Sequence, residues 1–185
     1  MAPVGAFILT GLLAGLRWGE SAALYASDAD WERGWIFVQR TWSDKGRRLE
    51  ACKDGEMRKV KVPAALLDAL RAHRESLFLE ASVKNWSSEQ RQLMFPTPAG
   101  QIVRHGHFYE NVWQPLLSEA GLPHRKYHAT RHSYATWMLD EGADVRWVQA
   151  QLGHATIAQT VDTYAHLDTA RHAAGADALT RYLSP

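Results

Sequence analysis

The sequence predicts an α+β domain that is mainly α: a helical body with one small three-stranded antiparallel sheet near its N-terminal third. Three observations carry that reading. Strand formers and a tight-turn signal are concentrated in residues 34–62, as GWIFVQR, RRLEA and MRKVKV around KDG. Apolar residues recur at helical spacing on both sides of that segment. Glycine and proline then punctuate the C-terminal half at Pro123, Gly142 and Gly153, leaving pieces of helical length. With 185 residues, 46% apolar and 22% charged, and no low-complexity tract, the chain has the size and composition of one soluble domain with a core of its own.

The elements follow in order. Residues 4–15 read as a helix, built on AFILTGLLAGL. No Lys or Arg precedes this run, as a secretory leader requires; the first basic side chain is Arg17. The run is also shorter than the roughly 20 residues that span a bilayer, so a buried helix and no membrane partner are expected. The single cysteine, Cys52, permits neither an internal disulfide nor a thiolate zinc site, which fits a reducing, cytoplasmic setting. A short helix is expected at 19–25, then the three strands, with KDG as the turn between RRLEA and MRKVKV. Pro63 opens a helix over AALLDALRAHRES with Leu66, Leu67 and Leu70 on one face. Residues 83–100 carry the weakest signals, and FPTPAG is a loop. From His105 onward the chain reads as four or five helical pieces, with a last break around Leu167.

Net charge is only +1, but it is polarised. Residues 40–61 hold eight basic side chains against four acidic, and residues 139–185 six acidic against three basic. A basic face able to follow phosphates is compatible with that distribution, as is an ordinary solvated hairpin. In HATRH, His128, Arg131 and His132 stand at offsets of three and four, which on a helix project to one side. Zinc hydrolases hold their ion with two histidines four apart, but they need a glutamate after the first; here that place is Ala129, and an arginine shares the face. The cluster by itself fits equally an anion site, with Arg131 offering a planar fork of donors, or a helix whose polar side chains satisfy nearby carbonyls.

Taken together, AGLRWGE, ACKDGEMRKVKVP, HATRH and LGHATIAQTVDTYAH resemble the tyrosine recombinases, the phage-integrase family of DNA strand-exchange enzymes. The family's GLRxGE arginine is matched by Arg17 with Glu20, its turn lysine by Lys53, and its histidine three residues before an arginine by His128 and Arg131. The LGH histidine is matched by His154, preceded by Gly153, and the nucleophile by Tyr164. The resemblance runs from about Val4 to Leu167. It departs at Thr130, where leucine is usual, and at Ala14, where threonine is common; neither touches a reacting group.

The resemblance implies cleavage and rejoining of double-stranded DNA through a 3′-phosphotyrosine at Tyr164, with no metal or other cofactor. A tyrosine hydroxyl, with a pKa of about 10, attacks a phosphodiester only if the charge developing on the non-bridging oxygens is stabilised and its proton is accepted. Arg17 and Arg131 are the expected clamp, helped by His154; Lys53 is the expected proton donor to the leaving 5′ oxygen and His128 the acceptor of the tyrosyl proton. Glu20, His132 and Gly153 are expected in support. The expected partners are DNA and other protomers, a tetramer at the synapse in the family. Residues 1–185 are expected to be the catalytic domain without the family's N-terminal core-binding domain. The alternatives are a remnant that binds DNA without recombining it and, less well matched, a type IB topoisomerase.

Overall fold

The computed structural model describes residues 2–52 and 57–154. The expected turn at Lys53, Tyr164, the break near Leu167 and the alanine- and leucine-rich segment after it lie outside the described residues.

Helix α1 (Ala2–Ala14) is apolar almost all round and accordingly buried, with Ala6, Phe7, Ile8, Thr10 and Ala14 in the interior. It packs against both α3 (Ala64–Val83) and α7 (Ala129–Asp140). The Phe7 ring lies 5.2 Å from Phe95, 4.8 Å from Phe108 and 5.6 Å from Tyr127, and Tyr127 Oη donates to the Phe7 carbonyl at 3.0 Å. The approach to α7 is closest at Gly11, where a Cβ would lie 2.3 Å from Thr130 Oγ1. Thr130, which replaces the family's usual leucine, is buried there and donates to the Tyr127 carbonyl at 2.8 Å; a longer side chain would have no room against Gly11.

After α1 the chain turns through Gly15, at φ +62°, into the short α2 (Trp18–Ala22). Thr10 Oγ1 and Ser21 Oγ, 2.7 Å apart, tie the two helices. The antiparallel sheet has the order β1 (Ala29–Asp30), β2 (Trp35–Val38), β5 (Arg58–Lys61). It contains two of the expected strands but not RRLEA. Among the described residues that segment, β4 (Arg48–Ala51), pairs instead with β3 (Arg40–Ser43), in a separate ribbon registered from Arg40↔Ala51 to Ser43↔Arg48. SDKGR closes this ribbon with Arg47 at φ +48° and the Gly46 N–H on Ser43 Oγ, so a turn signal as good as KDG lies on the other side of the strand. The third strand of the sheet is supplied by β1, where Asp30 Oδ1 accepts the Glu32 and Arg33 N–H groups and Gly34 takes φ +70°.

Pro63 caps α3 as expected, and the helix runs on past Ser76 because Leu77 and Ala81 continue its buried stripe. The weak region holds α4 (Ser88–Gln92), started by a capping box between Ser87 and Gln90. Then come α5 (His105–Phe108), a π-helical turn (Tyr109–Trp113) and α6 (Gln114–Glu119) in continuous succession, α7, and α8 (Val145–Leu152). Pro123, Gly142 and Gly153 fall between or after these helices, as their chemistry requires. Tyr134, Ala135, Leu139, Val148 and Leu152 form a second small core between α7 and α8. No described helix is long and apolar enough to cross a membrane.

An alanine for a glycine inside an exposed helix stabilises by up to about 1 kcal/mol. At Gly11 the added methyl must displace Thr130, and overpacking costs about 1–3 kcal/mol. Gly11→Ala should therefore lower the thermal midpoint, and adding Thr130→Ala should recover part of the loss, as followed by circular dichroism. A Gly11→Ala variant melting at or above wild type would show that α1 and α7 do not meet so closely.

Candidate active site

Three helix ends converge at one place: the end of α1, the start of α7 and the end of α8. Arg131 reaches it from α7 and is 2% exposed. Its Nη1 donates to the Gly15 carbonyl at 2.7 Å and its Nη2 to the Leu152 carbonyl at 2.5 Å. Both acceptors lie at helix C-terminal ends, where carbonyls lack intrahelical donors and the helix dipole is negative, so the buried cation is placed where the backbone favours one. Within the HATRH cluster burial differs: Arg131 turns inward, while His128, the cap of α7, and His132 are exposed with rings 4.8 Å apart.

Arg17 enters from the turn after α1. Its backbone N–H donates to Glu20 Oε2 at 2.8 Å, its Nη1 to Glu20 Oε1 at 2.9 Å and its Nη2 to the Gly153 carbonyl at 3.4 Å. Glu20 is buried beneath it and also accepts both terminal nitrogens of Arg58, at 2.8 and 2.7 Å. Burial alone would raise the Glu20 pKa, but the Arg58 hydrogen bonds and charge, followed by the charge of Arg17, bring it down to about 2. Arg58 was not among the residues that motif reading selects. The signal for it was present: on β5 it shares a face with the fully buried Val60, and an arginine on the inward face of a strand requires a partner.

Gly153 ends α8 at φ +63°, and a Cβ there would lie 2.9 Å from Arg58 Cδ, so the position needs glycine both for its backbone and for the arginine beside it. The helix closes with the Gly153 N–H on the Ala150 carbonyl and the His154 N–H on the Gln149 carbonyl, each at 3.2 Å, while Gln149 Nε2 donates to the His154 carbonyl at 3.1 Å. The backbone of His154 is thereby fixed from both sides.

The His154 ring is half-buried. Burial, then the cations of Arg131 and Arg17, then His128 and Arg58, push its pKa down to about 4. His128, packed on its inner side though open outward, is brought to about 4 by burial, then by His132, Arg131 and Arg17. Both imidazoles are therefore neutral at pH 7, amid three guanidinium groups and one carboxylate. A cleft of about 430 Å³ lined by Trp18, His105, Tyr109, Lys126, Tyr127 and His128 opens alongside. Among the described residues no group of His, Cys, Asp and Glu is assembled to hold a metal ion. Such an arrangement can bind an anion, offer it donors of fixed direction, and accept a proton on a neutral imidazole.

Of the residues singled out by sequence, Arg17, Glu20, His128, Arg131, His132, Gly153 and His154 come together here. Lys53 and Tyr164 lie outside the described residues. The neighbour of Lys53 in sequence, Cys52, is buried; its thiol pKa is raised by burial and by Glu20, and lowered in part by Arg58 and Arg17, so the chain reaches this point close to the site.

A XerC-like tyrosine recombinase of Caldanaerobacter subterraneus subsp. tengcongensis is 29% identical over 177 residues, covering 88% of this chain and 45% of that protein. The tyrosine recombinase XerA of Thermococcus kodakarensis is 33% identical over 150 residues, covering 80% of this chain and 45% of that protein. The chain thus spans about half the length of the curated relatives it matches. The fold is similar to that of the Tn1549 transposon integrase solved in complex with transposon right end DNA, with a TM-score of 0.76 and 21% identity, over 95% of this chain and 59% of that one. The model of the phage integrase family matches residues 4–171, and the chain belongs to that family.

Proposed function

We propose that this chain cleaves and rejoins double-stranded DNA at specific sites through a 3′-phosphotyrosine at Tyr164, with Arg17, Lys53, His128, Arg131 and His154 as its other catalytic residues. The observation that supports this reading is the convergence of Arg17, His128, Arg131 and His154, from segments far apart in sequence, on one cation-rich site. Tyr164 Oη attacks the phosphorus and the 5′ oxygen leaves. The tyrosyl proton passes to His128, neutral at pH 7, and Lys53 supplies a proton to the leaving oxygen. Charge developing on the non-bridging oxygens meets Arg17, Arg131 and a hydrogen bond from His154, donors held in place before the phosphate arrives. One phosphoester replaces another, so the 5′ hydroxyl of a second strand reverses the step without ATP. Glu20 orients Arg17, Gly153 sets the turn that carries His154, and His132 flanks His128. Residues 1–185 act as the catalytic unit, on duplex DNA in the cytoplasm, with other protomers completing a tetrameric synapse.

On a substrate whose 5′ fragment diffuses away after cleavage, the protein should become trapped on DNA by a covalent 3′ bond, in EDTA as well as in magnesium. Tyr164→Phe should bind DNA and form no adduct. Wild type that binds at low salt and high protein concentration without forming an adduct would favour a DNA-binding remnant. Metal-dependent cleavage that persists in Tyr164→Phe would end the recombinase reading.

Lys53 and Arg131 should separate on a substrate with sulfur in place of the leaving 5′ oxygen. Lys53→Ala should lose cleavage on ordinary DNA and regain it with sulfur, which leaves without a proton. Arg131→Ala should lose about 10²–10³ in rate on both substrates, since its work is on the non-bridging oxygens. Equal rescue would contradict the assignment.

The histidines give a pH dependence of defined sign. In the free protein His128 and His154 titrate near 4 rather than 6.5, so the unfolded chain binds protons first and stability falls as pH drops from 6.5 through 4. A bound phosphate favours the imidazolium form and raises both values. DNA binding between those limits should take up protons and tighten as pH is lowered from about 7 to 5. Calorimetry in buffers of different ionisation enthalpy measures the uptake, and proton release on binding would contradict it.

A further inference from the structure

Arg58 holds together parts of the site that the chain brings from far apart. Its Nη1 and Nη2 engage both oxygens of Glu20 on α2, and its Nε donates to the Gln151 carbonyl on α8 at 3.0 Å. Its side chain is 11% exposed and fills the space that only a glycine at position 153 leaves open. The same strand is joined to α8 a second time, by the Lys61 N–H on Gln151 Oε1 at 2.8 Å. Glu20, held on one side by Arg58, holds Arg17 on the other; the Gly153 turn, pressed against Arg58, carries His154.

We infer that Arg58 is a positioning residue for strand cleavage: through Glu20 it fixes Arg17, and through Gln151 and Gly153 it fixes His154, so that both present donors to the same phosphate. This rests on the recombinase reading above. Arg58 itself directs its nitrogens to Glu20 and the Gln151 carbonyl. Its effect on the reaction is geometric, and a displacement of about 1 Å in such a site costs on the order of 10²-fold in rate. A lysine in its place keeps the charge but cannot span two carboxylate oxygens and a carbonyl at once.

The test uses Arg58→Lys, Arg58→Met and the pair Glu20→Gln/Arg58→Met, with thermal midpoint, DNA affinity and single-turnover adduct formation measured on each. The pair leaves no unmatched buried carboxylate, so it should melt close to wild type and bind DNA within a few-fold of it, yet cleave about 10²-fold more slowly. Arg58→Lys should also cleave more slowly, by at least about 10-fold. A paired variant or a lysine variant that cleaves at the wild-type rate would overturn the inference. A second readout does not depend on activity. Burial and then the charges of Arg131, Arg17, His128 and Arg58 hold the His154 titration down, so in the folded paired variant, which lacks the last of these, its NMR midpoint should rise. An unchanged midpoint would show that Arg58 does not lie against the His154 turn, whether or not the protein cleaves DNA; absence of an adduct in wild type would instead count against the recombinase reading.

Discussion

A carboxylate buried under two guanidinium groups is the constraint on which the site depends. Glu20, with 3% of its side chain exposed, accepts the Arg17 N–H, Arg17 Nη1 and both terminal nitrogens of Arg58. An ion taken out of water loses several kcal/mol of hydration, which only close partners in good geometry offset. The donors must therefore stand where they do: the first turn of α2 is set by the Arg17 N–H and the start of β5 by Arg58. Such a pair adds little net stability compared with well-packed apolar residues. What it supplies is a single allowed arrangement for a cation that faces solvent.

The same economy of position explains the histidines. Arg131 is buried against carbonyls at the ends of α1 and α8, and Arg17 and Arg58 lie close by, so positive charge is concentrated before any anion is bound. Burial first, and then that field, keep the imidazoles neutral, which leaves each with one nitrogen able to accept a proton at pH 7. Stability and the proposed function pull in opposite directions here. Clustered cations repel one another in the free protein, and under the proposed function a phosphate among them would relieve the repulsion while it gains directed donors.

The large helices were legible because their causes are local. The apolar run of α1, the Pro63 start and leucine stripe of α3, and the breaks at Gly142 and Gly153 act through neighbouring residues alone. The partner of β4 was not legible, because SDKGR and KDG are equivalent turn signals flanking one strand and tertiary packing selects the pairing. Short α4 was hidden in a polar stretch whose capping box, Ser87 and Gln90, carries no apolar stripe. In the site, residue spacing put His128, Arg131 and His132 on one helix, but it could not show that a side chain as long as arginine turns inward to find carbonyls from two other elements. Arg58 carries no motif of its own within the basic segment; the alternation with Val60 and Val62, both buried, marks it as inward-facing.

Each arginine of the site bridges two elements, and the bridges form a closed circuit. Arg131, from α7, joins the end of α1 at Gly15 to the end of α8 at Leu152. Arg17, after α1, joins Glu20 on α2 to Gly153 past the end of α8. Arg58, on β5, joins Glu20 to Gln151 within α8. The end of α8 is thus gripped at three successive carbonyls, 151, 152 and 153, by three different arginines. A lysine at any of these places would offer a point charge free to swing, whereas the planar fork of arginine ties its own orientation to two acceptors at once. Gly153 completes the circuit, because its left-handed turn brings the last of those carbonyls round to Arg17 and leaves room for Arg58 beneath it. Moving any one bridge therefore shifts the frame that carries His154, the residue next along the chain.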